Sequence, residues 1–171
     1  MLNRMAFAFY KFLLMLAGVA MIAAFVSIML NILARIFLWN IPGLDGYAGY
    51  AIAAALFLAL PSTLQSNEHI RATLLLDHVS PGAKGTMETV ALTLGTAVSL
   101  YLAWFAVRLV WVSYTLHDVA FTGDATPMWI PQLSMALGCV GFAMGFSQAL
   151  WSRFSGQAFF AEPSAESTHA D

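Results

Sequence analysis

Charged side chains cut this sequence into long apolar runs, and those runs set its plan. Four stretches carry no Asp, Glu, Lys or Arg: Phe12 to Ala34, Gly46 to Asn67, Thr89 to Val107 and Ala125 to Ser152, of 23, 22, 19 and 28 residues. A helix rises about 1.5 Å per residue, so about 20 residues cross the roughly 30 Å hydrocarbon core of a bilayer. Lipid offers no partners to backbone N–H and C=O groups, so a single segment that crosses it is helical. The pattern therefore predicts an all-α integral membrane protein with four transmembrane helices. A secretory signal is the competing reading of the first run, because Arg4 and Lys11 precede it. The run is longer than a signal core of about 7 to 15 residues, however, and Arg35 closes it where a cleavage site would stand.

Lys and Arg set orientation, since acidic residues contribute little to the bias. Arg4, Lys11, Arg71, Lys84 and Arg153 fall on one side, Arg35 and Arg108 on the other. Both termini are therefore expected in the cytoplasm, with the connections Arg35 to Asp45 and His117 to Ala125 outside. Trp39, Trp111 and Trp129 lie at the predicted outer boundary, as an interfacial belt requires. The longest internal connection is Glu68 to Glu88. Within it Ile70, Leu74, Leu75, Leu76 and Val79 alternate with Arg71, Asp77 and His78, which predicts a short interfacial helix between helices 2 and 3, stopped by Ser80-Pro81-Gly82. Residues 1–155 read as one four-helix domain, and 156–171, rich in Ser, Glu, Ala and His, as a disordered cytoplasmic tail.

Composition narrows the function. Apolar and aromatic residues make up 60% of the 171 residues and charged ones only 9%, against roughly 25% in a soluble domain. Mean hydropathy is +0.77, so most of the outer surface faces lipid. A net charge of −2 with no basic block excludes nucleic acid as a partner. The single cysteine, Cys139, lies in an apolar run and reads as packing.

The chemistry that is missing is also informative. No ionisable residue stands near the middle of any predicted run, although such residues mark proton relays, ion paths and charged-substrate sites. Autonomous active transport is therefore not expected. Asn31, Ser62, Thr63, Gln65, Thr93, Thr96, Ser99, Ser134 and Gln148 suit helix–helix hydrogen bonds of order 1 kcal/mol. His69, His78, His117 and His169 fall in connections or the tail, so no axial pair for haem is formed, and no cofactor or metal site is predicted. No Gly-x-Ser-x-Gly turn or Cys and His combination is present, and an enzyme is not expected.

Helix contacts are marked more clearly. Gly138, Gly141 and Gly145, with Ala136 and Ala143, give helix 4 a side that another helix can approach closely, and Gly46, Ala48, Gly49, Ala53, Ala54 and Ala55 do the same for helix 2. Pro61 should kink helix 2 or mark a loosened end. Thr126-Pro127 is the expected start of helix 4, a capping hydroxyl followed by a proline at the first helical position.

The run Asn67-Glu68-His69-Ile70-Arg71-Ala72-Thr73-Leu74-Leu75 after helix 2 resembles a signature of the small membrane subunit of tripartite ATP-independent periplasmic (TRAP) transporters, the DctQ-like small permease. Asn31, Arg35 and Phe37 resemble that family's pattern at the end of helix 1. Asp45 matches an acidic residue opening helix 2, and Pro127, Trp129, Pro131 and Gly138 match its helix 4 pattern. The resemblance covers roughly residues 5 to 155. One departure is that Asp45 is followed by Gly46 and Tyr47 where many members have a second acidic residue.

The resemblance implies a non-catalytic scaffold subunit in a bacterial inner membrane. Its partners would be a large multispanning membrane subunit, a periplasmic solute-binding protein and membrane lipid, in sodium-coupled uptake of an organic acid or similar small solute. Arg35, Asp45, Trp129 and Pro131 are the expected contact residues, with Glu68, His69 and Arg71 the motif of the interfacial helix. Arg35 and Asp45 could meet across the short outer loop and fix helices 1 and 2, or stay solvated. A self-contained four-helix channel or exporter, and a haem-anchoring membrane subunit, are the readings to set against this.

Overall fold

A computed structural model describes residues 2–65, 81–121 and 124–155 of the chain. They form four helices, α1 (Leu2–Ile36), α2 (Leu44–Gln65), α3 (Pro81–Thr115) and α4 (Trp129–Ser155). Segments long and apolar enough to cross a membrane lie at Ala6–Ile36, Leu44–Leu64, Thr89–Thr115 and Trp129–Ser155, as the four runs predicted. The expected interfacial helix, with Glu68, His69 and Arg71, and the expected tail fall outside the described residues.

Two helices exceed the apolar runs that announced them. α1 and α3 have 35 residues each, about 52 Å, against 22 residues and about 33 Å in α2. A charge ends an apolar run without ending a helix, because Lys and Arg are good helix formers and their long stems carry the charge sideways. α1 therefore passes through Lys11, and α3 begins at Pro81 and continues through Arg108. Pro81 opens α3, since proline at the first helical position lacks only an N–H that would have no partner there.

α1 and α3 finish alike, at the end of the bundle that carries the 37–43 and 116–128 loops, called here the loop end. Trp39 N–H donates to Ala34 O at 2.8 Å and Leu38 N–H to Arg35 O; Asp118 N–H donates to Ser113 O at 3.0 Å and His117 N–H to Tyr114 O. These are two Schellman caps, and their left-handed residues are Leu38 (φ 57°) and His117 (φ 55°) where glycine is usual.

Across the bundle the helices run α1, α2, α4, α3, with packing concentrated in the neighbouring pairs. The small side of α4 explains its inner place. Gly138, Gly141 and Gly145 turn toward α2 and α1: a Cβ on Gly141 would meet Leu13 and Pro61, and one on Gly145 would meet Leu64. Ala136, Cys139 and Ala143 pack against Ala103 and Ala106 of α3. The tightest approach follows from Pro61. Having no N–H, it leaves the Phe57 carbonyl without the donor that residue i+4 would supply, and Gly138 sits against that carbonyl, where a Cβ would lie 2.2 Å from the oxygen. Only a Cα hydrogen fits in that gap. The α2 stripe behaves differently: Ala48 and Ala55 are buried, but Gly49 and Ala53 are exposed.

Gln148, Thr96 and Asn31 are among the polar residues that make the expected contacts between helices. Gln148 Oε1 accepts from the fully buried Tyr10 hydroxyl at 3.1 Å, joining α4 to α1. Thr96 Oγ1 donates to Leu92 O of its own helix at 2.7 Å and also lies 3.4 Å from Phe146 O across α3 and α4, and Asn31 binds Asp45 between α1 and α2. Thr63, Thr93, Ser99 and Ser134 instead donate to carbonyls three or four residues back in their own helices.

Candidate functional site at the loop end

Polar groups from three separate parts of the chain converge at the loop end. Gly43 caps α2, its carbonyl accepting from Tyr47 N–H at 3.1 Å, and it needs to be glycine twice over. Its φ is +85°, and a Cβ there would lie 2.5 Å from Asp124 Cγ in the other loop. Asp124 accepts from the Thr126 hydroxyl, and Thr126 Oγ1 lies 3.1 Å from the Tyr47 hydroxyl of α2. Below them the Tyr50 hydroxyl reaches Met128 Sδ at 3.8 Å. The 116–128 loop is itself held by Ala120 N–H on Thr126 O and Met128 N–H on Asp118 O, flanking a bridge between Val119 and Pro127.

Asp45 stands in the first turn of α2, where a carboxylate meets the positive end of the helix dipole. It accepts a hydrogen bond from Asn31 Nδ2, one turn before Arg35 on α1. The α1–α2 tie is thus made by an amide, and Arg35 is exposed in the last turn of α1. Trp129 opens α4 half-buried, its ring edge-on to Tyr114 at 5.8 Å between centroids. Pro131 falls in that helix's first turn, among the N–H positions that have no helical partner. The helix starts at Trp129 instead of the expected Thr126-Pro127, because the Thr126 hydroxyl is engaged by Asp124 and Tyr47 and Pro127 belongs to the bridge. Phe37 stacks on Trp39 at 5.4 Å, and both rings are exposed, as is Phe121.

Gly43, Tyr47 and Asp124 were not singled out from the sequence. An Asp two residues before a Thr was the available signal, as that spacing favours local side-chain turns. Among the described residues no group of three His, Cys, Asp or Glu could hold a metal ion. The arrangement is suited to fixing four helix ends and two loops as one surface.

The family of tripartite ATP-independent periplasmic transporters, DctQ component, matches residues 24–156. The chain belongs to the DctQ family. It is thereby the small membrane subunit of a TRAP transporter, a tripartite system that also has a large membrane subunit and a binding protein. The match takes in the whole loop-end cluster, from Asn31 through Pro131, and begins after Tyr10 and Leu13. No curated protein and no solved structure matches the chain.

Proposed function

We propose that this DctQ subunit is a non-catalytic scaffold that frames the large membrane subunit during sodium-coupled, binding-protein-dependent import of an organic acid or similar small solute. The observation that carries this reading is the distribution of charge in the bundle. Lys11, Arg35, Asp45, Arg108 and Arg153 are all exposed, and the faces by which the helices meet are built mainly from Gly, Ala, Leu and hydroxyl groups bonded to carbonyls, with Tyr10–Gln148 the buried polar tie and Asn31–Asp45 an exposed one. A carrier that couples its cargo to an ion needs charge or polar ligands facing an internal path. In this reading both termini lie on the cytoplasmic side of a bacterial inner membrane, following the Lys and Arg bias, and the loop end faces the periplasm. Arg35, with the exposed rings around it, then meets headgroups or a partner there. Glu68, His69 and Arg71 cap or anchor an interfacial segment, with Arg71 and Lys84 toward lipid headgroups.

Proteoliposomes test the proposal. With an inward sodium gradient and a panel of labelled small carboxylates and sugar acids, vesicles holding this chain alone should take up no more than empty vesicles. Adding the large subunit and its binding protein should give sodium-dependent uptake. Vectorial flux through the chain alone would overturn the scaffold reading.

A further inference from the structure

Contacts between neighbouring helices fix how far each is shifted along the others. Phe57 and Pro61 of α2 lie against Gly138 and Gly141 of α4, and Leu13 of α1 also meets Gly141. On α3, Gly95 meets Phe146 and Tyr114 meets Trp129. Helices rise equally per residue, so these contacts place the charges that bound the apolar runs on a common scale, the residue numbers of α4. At the loop end Arg35, Asp45 and Arg108 fall level with about 120, 125 and 134 on that scale. At the opposite end Lys11 and Glu88 fall level with about 144 and 154, and Arg153 belongs to α4 itself. Both boundaries therefore climb in the same direction across the row α1, α2, α4, α3. In an upright bundle Arg108 would stand level with Ala54 of α2, nine residues or about 14 Å from Asp45, close to the middle of a core about 30 Å thick. Arg108 is exposed on the side of α3 away from α4, which Ala103 and Ala106 face, and among the described residues none pairs with it. A guanidinium held at that depth in lipid is costly.

We propose that the bundle lies tilted in the plane of its own row, about 30° from the membrane normal, so that Arg108 meets phospholipid phosphates at the loop-end surface and Lys11 meets those at the opposite surface. The inference goes beyond the scaffold reading and is independent of it, since only the membrane setting and the register of the helices enter. The two boundaries climb by about 18 Å on average, over three interaxial spacings of about 9 Å each, which sets the angle. A tilt is decided by anchoring residues at the two surfaces, and here charges on all four helices agree. The aromatic residues follow the same slope. Trp104 and Trp111, each 69% exposed, stand one turn to either side of Arg108, where an interfacial belt would cross this flank. On the other flank α1 has no Trp or Tyr from Phe12 to Ala34, as suits a surface in hydrocarbon all the way to Arg35. The tilt also accounts for the two long helices standing at the edges of the row. α3 carries about two turns beyond Arg108 at the loop end, and α1 carries its first turns beyond Lys11 at the opposite end.

The test uses the full chain in vesicles of phosphatidylethanolamine and phosphatidylglycerol, with Cys139→Ser and single nitroxide labels whose depth is read from collisions with oxygen and a water-soluble nickel chelate. Phe25 and Trp111 are exposed at nearly the same level on opposite flanks, and so are Phe12 and Val98 nearer the other end. An upright bundle gives each pair a single depth. The tilt makes the label of Trp111→Cys about 13 Å shallower than that of Phe25→Cys, and it reverses the order at the other end, with Phe12→Cys about 13 Å shallower than Val98→Cys. Ile22→Cys with Leu109→Cys repeats the first comparison where a label prevents folding. Equal depths within the pairs overturn the tilt, and so does a shallow label at 111 without the reversal, which is the mark of local bilayer thinning. In the same vesicles, carbon–phosphorus dipolar recoupling on chain with labelled guanidinium carbons should lose a lipid-phosphate contact in Arg108→Gln. An unchanged signal would overturn the phosphate contact.

Discussion

Asn31 and Asp45 show how a single pair can join two helices without a formal ion pair. The Asp45 carboxylate is stabilised by the α2 dipole and by the Asn31 amide, so Asn31→Ala removes one of two favourable contacts. The expected loss is about 1 kcal/mol, seen as a lower melting temperature of the purified protein in detergent. Asn31→Asp should cost more, because two carboxylates would then face each other. The two Schellman caps make the opposite prediction. Leu38 and His117 hold φ values of 57° and 55°, at which any residue with a Cβ is disfavoured. Replacing His117, which is exposed, with glycine should raise stability by about 0.5 to 1 kcal/mol in the same assay. Neither position was visible as a cap in the sequence, where glycine is the usual sign.

At the scale of the helices, glycines that look alike are set apart by what stands opposite them. Gly138 meets the Phe57 carbonyl that Pro61 leaves free, and backbone cannot step aside as a side chain can. Gly138→Ala is therefore expected to cost about 1 to 3 kcal/mol and to separate α2 from α4. Gly49, with no atom within 4 Å of a Cβ, should accept alanine with unchanged or slightly higher stability. Melting curves of the two variants side by side check this contrast. Apolar runs located the helices well, but their ends were placed by charge, and charge was a poor guide. Lys11, Lys84, Glu88 and Arg108 lie inside α1 and α3 because backbone hydrogen bonding continues through them.

For the whole molecule the order α1, α2, α4, α3 has a testable geometry. In a background with Cys139→Ser, Tyr10→Cys and Gln148→Cys should be joined by a short bifunctional maleimide, since the native side chains touch across α1 and α4. Val26→Cys and Trp104→Cys, on the outer faces of α1 and α3, should not be joined within one chain. Heavy cross-linking of the second pair would show the bundle to be closed instead of extended.

Sequence alone determined the number of segments able to cross, the membrane setting and that α4 admits close helix contact, because these depend on the length of apolar runs and on the small side chains of α4, whose division into a glycine face and an alanine face only the structure shows. It also carried the family, through short motifs in a fixed order. Tertiary structure decided which partner each polar group takes. Asn31 and Arg35 share one face of α1, so the sequence left open whether Asp45 meets the charge or stays solvated, and helix packing brings the amide within reach. It alone brought Gly43 against Asp124 and set the level of Arg108 against α2 and α4, since these lie far apart along the chain and meet only when the four helices settle side by side.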